Sequence, residues 1–216
     1  MNIIEEISKK GSDKEKITKE VIKSPELIPQ LFEGLNNSRG SIRLGCEKII
    51  RLISEQQPEL IYPYFDIFTK LLDSENNILK WGAIITISNL VSVDSKNKFD
   101  KIFKKYFSLI SEKTMITAAN TIKNSWKIAL AKPNLTEKIS KEILKAEKAR
   151  YENKGQLSPE CSRIVYGHAI DSFDKFYGKI RDKRPVTDFI KRQLNNTRKA
   201  VAKKADKFLH KYRIDI

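Results

Sequence analysis

From Leu27 onward, apolar residues recur at spacings of three and four and are broken by short polar stretches. That is the pattern of amphipathic helices joined by brief turns. A longer period overlies it. The segments "SIRLGCEKII" from Ser41, "ILKWGAIITI" from Ile78 and "MITAANTIKN" from Met115 align so that Ile42, Leu79 and Ile116 share a column, 37 residues apart. Three positions on lies a column of small residues, Gly45, Gly82 and Ala119, followed by Cys46, Ala83 and Asn120. Seven positions upstream of the apolar column stand Leu35, Leu72 and Leu109. Ile164 and Val201 are again 37 apart, with Leu194 seven before Val201, after a slip of 11 extra residues. Self-similarity at this period predicts a stack of helical units, each covering a face that its neighbour leaves open.

Each unit reads as two helices. The first carries "ELIPQLFEGL", "LIYPYFDIFTKLL", "FDKIFKKYFSLI" or "VTDFIKRQL"; the second begins at the apolar column. Pro25, Pro159 and Pro185 fall where a first helical turn is expected, and there the missing N–H costs nothing. Asn36-Asn37-Ser38, Asp73-Ser74 and Asn195-Asn196-Thr197 read as tight polar turns between antiparallel helices. The small column implies that two helices approach closely there. These signals place an N-terminal helical cap at 1–24, with Ile3, Ile4, Ile7, Ile17, Val21 and Ile22 as its apolar face. An array then runs over 25–216, with units near 25–57, 58–95, 96–132, 134–180 and 185–216. The stretch "AEKARYENKGQLSPE" (Ala146–Glu160) reads as the end of an extended helix followed by an inserted loop.

The run "LIPQLFEGLNNSRGSIRLGCEKIIRLI" resembles the HEAT repeat of the armadillo-like helical repeat family. It has an early proline, a polar turn, a branched residue followed by Arg43, and then a small residue. The resemblance implies an all-α, right-handed superhelix of about five helix pairs. It also implies a non-catalytic, monomeric scaffold without cofactor or metal, whose concave surface, lined by second helices, takes a protein partner. In that family the turn Asp and the basic residue after the apolar column form a ladder. Asp73 and the Arg43/Lys80 column match part of it, and Thr117 interrupts it in the third unit. Some HEAT-like folds are DNA glycosylases for alkylated bases, with paired Trp, Asp and Arg around a cleft; no matching motif stands out in this sequence.

Charge changes the picture in the C-terminal half. Residues 1–100 hold 14 basic and 15 acidic residues, against 28 and 12 in 101–216, so the second half carries the whole excess behind the net +15. From Lys179 to Arg213 there are 13 basic and 3 acidic residues. Lys191, Arg192, Arg198, Lys199, Lys203, Lys204 and Lys207 form a stripe that can neutralise phosphates and release counterions, an alternative nucleic-acid-binding role. The same stripe also fits a merely solvated face or an anionic membrane surface.

Other candidate chemistry is thin. Trp81 is a candidate stacking residue, as is Trp126, although packing between helices accounts for either. His168, three from Asp171 and seven from Cys161, has too few ligand neighbours for a metal site and no nucleophile for a triad. Asp171 and Asp174 precede Lys175 and Lys179 at the spacing of helical ion pairs. Two cysteines do not make a disulfide framework. The N-terminal residues lack the layout of a signal peptide, and no apolar run reaches the roughly 18 residues of a spanning helix. A soluble cytoplasmic protein is the expectation.

Overall fold

The computed structural model describes residues 2–215. The first residue of the expected cap, Met1, and the last of the final unit, Ile216, lie outside them. The chain divides into two compact units, Met1–Asp100 and Lys101–Ile216.

The first unit begins with two short helices, α1 (Ile3–Ser8) and α2 (Lys14–Lys23). The Asn2 side chain accepts from the Ile4 and Glu5 N–H groups, and that of Asp13 from Lys16, so both exposed starts are capped. Of the apolar face expected here, Ile3, Ile7, Ile17 and Val21 are buried, while Ile4 and Ile22 are half-buried. Next come α3 (Ile28–Gly34), α4 (Gly40–Gln56), α5 (Pro58–Ile61), α6 (Phe65–Leu71) and α7 (Asn77–Leu90). The first member of each expected pair is broken. A 3₁₀ turn at Pro25–Leu27 leads into α3, and another at Tyr62–Tyr64 separates α5 from α6. Pro63 has no N–H to donate to the preceding turn, so the backbone tightens there instead of continuing as one α-helix.

α2, α4 and α7 lie side by side. The small column explains how closely they approach their neighbours. A Cβ on Gly45 would stand 2.6 Å from Cγ2 of Ile7, and one on Gly82 would stand 2.7 Å from Cδ of Glu47. Asp94 closes the unit: it accepts from the Tyr62 hydroxyl at 2.7 Å and from the Lys98 and Phe99 N–H groups at 2.8 and 3.0 Å. It thereby ties the 3₁₀ turn to the start of α8 (Lys98–Ser108), the helix that contains the unit boundary.

The second unit continues with α9 (Met115–Ala131), α10 (Thr136–Leu144), α11 (Pro159–Phe176), α12 (Arg184–Arg192) and α13 (Lys199–Lys211). Here the sequence register needs a correction. Leu35, Leu72 and Leu109 are all buried, yet Ile116 is 43% exposed while Thr117 is fully buried. α4 starts five positions after Leu35 and α7 five after Leu72, whereas α9 starts six after Leu109. The extra turn residue rotates the helix by about 100°. Thr117 therefore takes the place of Ile42 and Leu79, and Ala118, not Thr117, stands in the Arg43/Lys80 column. Similarly Ile164 is half-buried and Val165 takes the core position beside it.

The α9–α11 seam is polar. Thr117, Thr121 and Ser125 are buried, and Ser125 Oγ lies 2.9 Å from Ser172 Oγ. α11 packs on α13 on its other side, where a Cβ on Gly167 would lie 3.3 Å from Cγ2 of Val201.

The segment read as a helix end and loop does begin as a helix end, a 3₁₀ turn at Lys145–Glu147 that closes α10, but the loop after it is a β-hairpin, β1 (Glu152–Asn153) against β2 (Gln156–Leu157). Lys154 and Gly155 both have positive φ, 51° and 78°, as a two-residue type I′ turn requires. Buried Tyr151 anchors it by donating its hydroxyl to the Ile110 carbonyl at 2.8 Å, and Glu152 N–H donates to Lys113 O at 2.9 Å. Local composition did not reveal this hairpin, because its anchors lie some forty residues upstream.

Candidate interaction surface

In the second unit α9, α11 and α13 form a layer, each burying one side and presenting the other to solvent. On α9, Ile116, Lys123 and Leu130 are exposed at spacings of seven, so they share the outward face. Trp126 flanks this face, half-buried, with Lys175 Nζ of α11 standing 4.1 Å from its ring centroid. That is cation–π distance, and it makes the indole one wall of the surface. Trp81 is half-buried on α7 in the first unit, so it does not join the basic stripe's own unit.

The basic stripe divides in two. Arg192 makes a two-pronged contact with Glu147, at 3.0 and 2.7 Å, which holds its guanidinium above the usual arginine range. Arg198 pairs with Glu160, and Lys204 with Asp171. Lys211 reaches Asp174 at 2.7 Å, and the Tyr212 hydroxyl donates to the Asp174 carbonyl at 2.8 Å. Asp171 and Asp174 thus pair across to α13 rather than along their own helix to Lys175 and Lys179. The alternative partner is closer: α13 runs alongside α11, while Lys175 is drawn to Trp126. Exposed pairs of this kind add only about 0–1 kcal/mol each, so their main consequence is that these cations arrive partly neutralised.

Lys191, Lys199, Lys203 and Lys207 make no ion pair among the described residues. Lys199, Lys203 and Lys207 are exposed at spacings of four on α13, opposite the buried Val201, Ala205, Phe208 and Leu209. They form the uncompensated half of the stripe. Phe189 and Phe208, the phenylalanines within this basic stretch, are core residues.

His168 sits half-buried on α11. Burial lowers its pKa first; the nearby Lys204 and Lys123 charges lower it further and Asp171 opposes them. In the first unit, burial raises the Glu47 carboxyl while Arg51, 3.3 Å away, opposes the rise. Burial likewise pushes the Cys46 thiol up to about 11, leaving it a packing group rather than a nucleophile. Among the described residues no cluster of three or more His, Cys, Asp or Glu is placed to hold a metal ion, and no helix is long and apolar enough to cross a membrane.

Two open clefts flank the hairpin. One, of about 500 Å³, is lined by polar groups of the α12–α13 turn, Tyr166 and Arg163. The other, of about 810 Å³, lies among Lys113, Lys145, Lys148, Arg150, Glu152 and Leu157. Leu157 is 60% exposed and lines both. Neither cleft was legible in the residue pattern, since each joins the hairpin region to a stretch remote from it in sequence, 195–197 in the first and 111–113 in the second.

No family profile matches the chain, and no curated protein matches it in sequence. Solved structures do match in shape. A designed armadillo repeat protein superposes with a TM-score of 0.52 at 12% identity, covering 99% of this chain and 98% of its own. A second engineered protein gives 0.50 at 11% identity, covering 98% and 95%. At such identity the likeness speaks to architecture alone, and it does so over nearly the whole length. Together with the repeated helices, it makes this an all-α helical-repeat fold of the armadillo/HEAT type.

Proposed function

We propose that the chain is a non-catalytic, monomeric, cytoplasmic binding module that takes a protein partner on the outward face of its second-unit helix layer. The carrying observation is the α9–α11 surface, where exposed Ile116 and Leu130 alternate with Lys123 beside the Lys175–Trp126 pair. Apolar side chains ringed by cations on rigid helices supply contact area with little reordering on association. Folds of this type commonly mediate binding, and what this surface presents is apolar side chains and lysines. The chain is read as a cap (1–24) followed by an array over 25–216, and within the second unit the partner would lie across α9, α11 and α13.

A photo-reactive residue at Lys123 should crosslink a protein in cells, and Ile116→Asp with Leu130→Asp should abolish the adduct without lowering Tm. Crosslinking that survives both substitutions defeats this reading.

A second reading rests on Lys191, Lys199, Lys203 and Lys207, whose charge is not compensated internally: a nucleic-acid backbone laid along α13. Retention of duplex DNA or RNA should then fall steeply with salt, and neutralising these four lysines should flatten the log–log slope by about 0.7–0.9 for each phosphate left without its cation. Excision of alkylated bases is the remotest extension of it, and release of a modified base from damaged DNA is the assay.

A further inference from the structure

The basic cleft beside the hairpin is a site of a different kind from the helix layer. Lys113, Lys145, Lys148 and Arg150 line it with one carboxylate, Glu152. Lys113 pairs with Glu152 at 2.9 Å, and Lys145 with Glu142, outside the lining, at 2.6 Å. Lys148 and Arg150 are exposed and have no ion pair among the described residues. The cleft therefore carries uncompensated positive charge. The hairpin supplies the one large apolar group of the lining: Leu157 stands directly opposite Glu152, which puts the two side chains on one face, with the carboxylate held by Lys113. Leu157, at 60% exposure, is the most exposed of the large hydrophobic side chains described.

That hairpin is held rigidly. Tyr151, immediately before β1, is 1% exposed and bonded to Ile110. The parallel bridge from Thr114 to Glu152 fixes the strand beside the α8–α9 turn. The two-residue turn sets the hairpin register, so Leu157 is presented in one place. Because 152 and 157 form the pair opposite each other without exchanging hydrogen bonds, the Leu157 N–H and C=O point away from β1, along the open edge. An extended segment can pair with that edge while its side chains meet the cleft.

We infer that this cleft binds an acidic, extended segment of a protein partner, with a large apolar side chain seated against Leu157 and flanking carboxylates on Lys148 and Arg150. Charge complementarity selects an anionic ligand. The rigid leucine and the free strand edge select a peptide over a phosphodiester backbone, which has no apolar group to place there. The inference rests on the reading of the chain as a protein-binding module and names the chemistry of one contact.

The probe is a fluorescein-labelled peptide of about twelve residues, Asp/Glu-rich with a central Leu-Phe, titrated with the full-length protein and followed by anisotropy. Saturable binding is expected. Leu157→Ala should weaken it about tenfold. Lys148→Glu with Arg150→Glu should weaken it at least tenfold and reduce its salt dependence. Lys199→Glu, Lys203→Glu and Lys207→Glu on α13 should leave it unchanged. All these positions are exposed, and an unchanged Tm checks that each variant is folded. No binding, equal binding of a peptide with alanines in place of Leu-Phe, or insensitivity to Leu157→Ala overturns the assignment. Displacement of the peptide by duplex DNA at lower concentration than by unlabelled peptide overturns it in favour of a nucleic-acid site. If the peptide fails while the Lys123 crosslink to a protein persists, only the cleft assignment is lost. If both fail, the protein-binding reading falls with it.

Discussion

The two units solve the same packing problem with different charge, one nearly balanced and one strongly basic. In Met1–Asp100, basic and acidic residues nearly balance, and the helix contacts are set by glycines whose missing Cβ admits Ile7 and Glu47. In Lys101–Ile216 cations outnumber acids by more than two to one, and the α9–α11 seam is closed by threonines and serines that bond within it. Helical repeats tolerate this divergence because the fold asks only for small or satisfied groups at the seams. The outward faces are then available for charge, and only the second unit has accumulated it.

Substitutions at the seams should separate the two units most strongly. Gly45→Leu forces a side chain into Ile7, and should cost about 3 kcal/mol or more, read as a drop in Tm and in the denaturation midpoint. Gly167→Ala faces a 3.3 Å approach to a single valine methyl, which a small shift relieves, and the helix-propensity gain of alanine offsets part of the strain. Its net effect should stay within about 1 kcal/mol. Comparable losses at both sites would show that the seams are equally tight and would remove the contrast.

Tyr151→Phe probes the hairpin anchor of the second unit. Removing the hydroxyl leaves the buried Ile110 carbonyl without that donor, at a cost of about 1–2 kcal/mol, with faster amide exchange at Glu152 as the local readout. Protected exchange in the variant would mean that the strand bridge alone holds the hairpin.

The pH dependence should also differ. His168 has a folded-state pKa below its ordinary 6.5, so between the two values the unfolded chain binds more protons and stability rises with pH. Its contribution is intact above 6.5 and is lost as pH falls through 6.5 towards the folded value. The slope cannot exceed about 1.4 kcal/mol per pH unit for one group, and His168→Gln should flatten it. Glu47, raised in the first unit, acts oppositely: it favours folding at low pH and loses that contribution as pH rises above its ordinary 4.5 through the folded value. Glu47→Gln should therefore remove a pH-dependent penalty at neutral pH, seen as a raised Tm at pH 7 relative to pH 4.

The smallest stability effect belongs to the paired cations. Asp171→Asn should change stability by less than about 1 kcal/mol, because the pair with Lys204 is exposed. Yet it frees one more positive charge beside Lys203 and Lys207. Any polyanion retention by α13 should rise with it, and unchanged retention would mean that Lys204 faces away from the bound ligand.

Much of the architecture was legible because helix burial leaves a periodic trace. Leu35, Leu72 and Leu109 are buried where the 37-residue spacing put them, and Gly45 and Gly82 mark close approaches. The register of α9 was not, since one additional turn residue before it shifts every face yet leaves the apolar count unchanged. Of the seven basic residues singled out, the sequence could not tell Arg192, Arg198 and Lys204, which are paired, from Lys191, Lys199, Lys203 and Lys207, which are not. Their partners Glu147, Glu160 and Asp171 lie 33 to 45 residues away along the chain.

By itself, then, the sequence determined the class of fold, the repeat length and the sign of the second unit's surface, because periodicity and net charge are properties of residue order alone. Tertiary structure decided which cations pair with internal acids, where the α9 faces point, and that an inserted segment becomes a hairpin bearing an exposed leucine over a basic cleft. Those outcomes depend on distances between stretches remote in sequence. Helix packing sets such distances, and no local pattern records them.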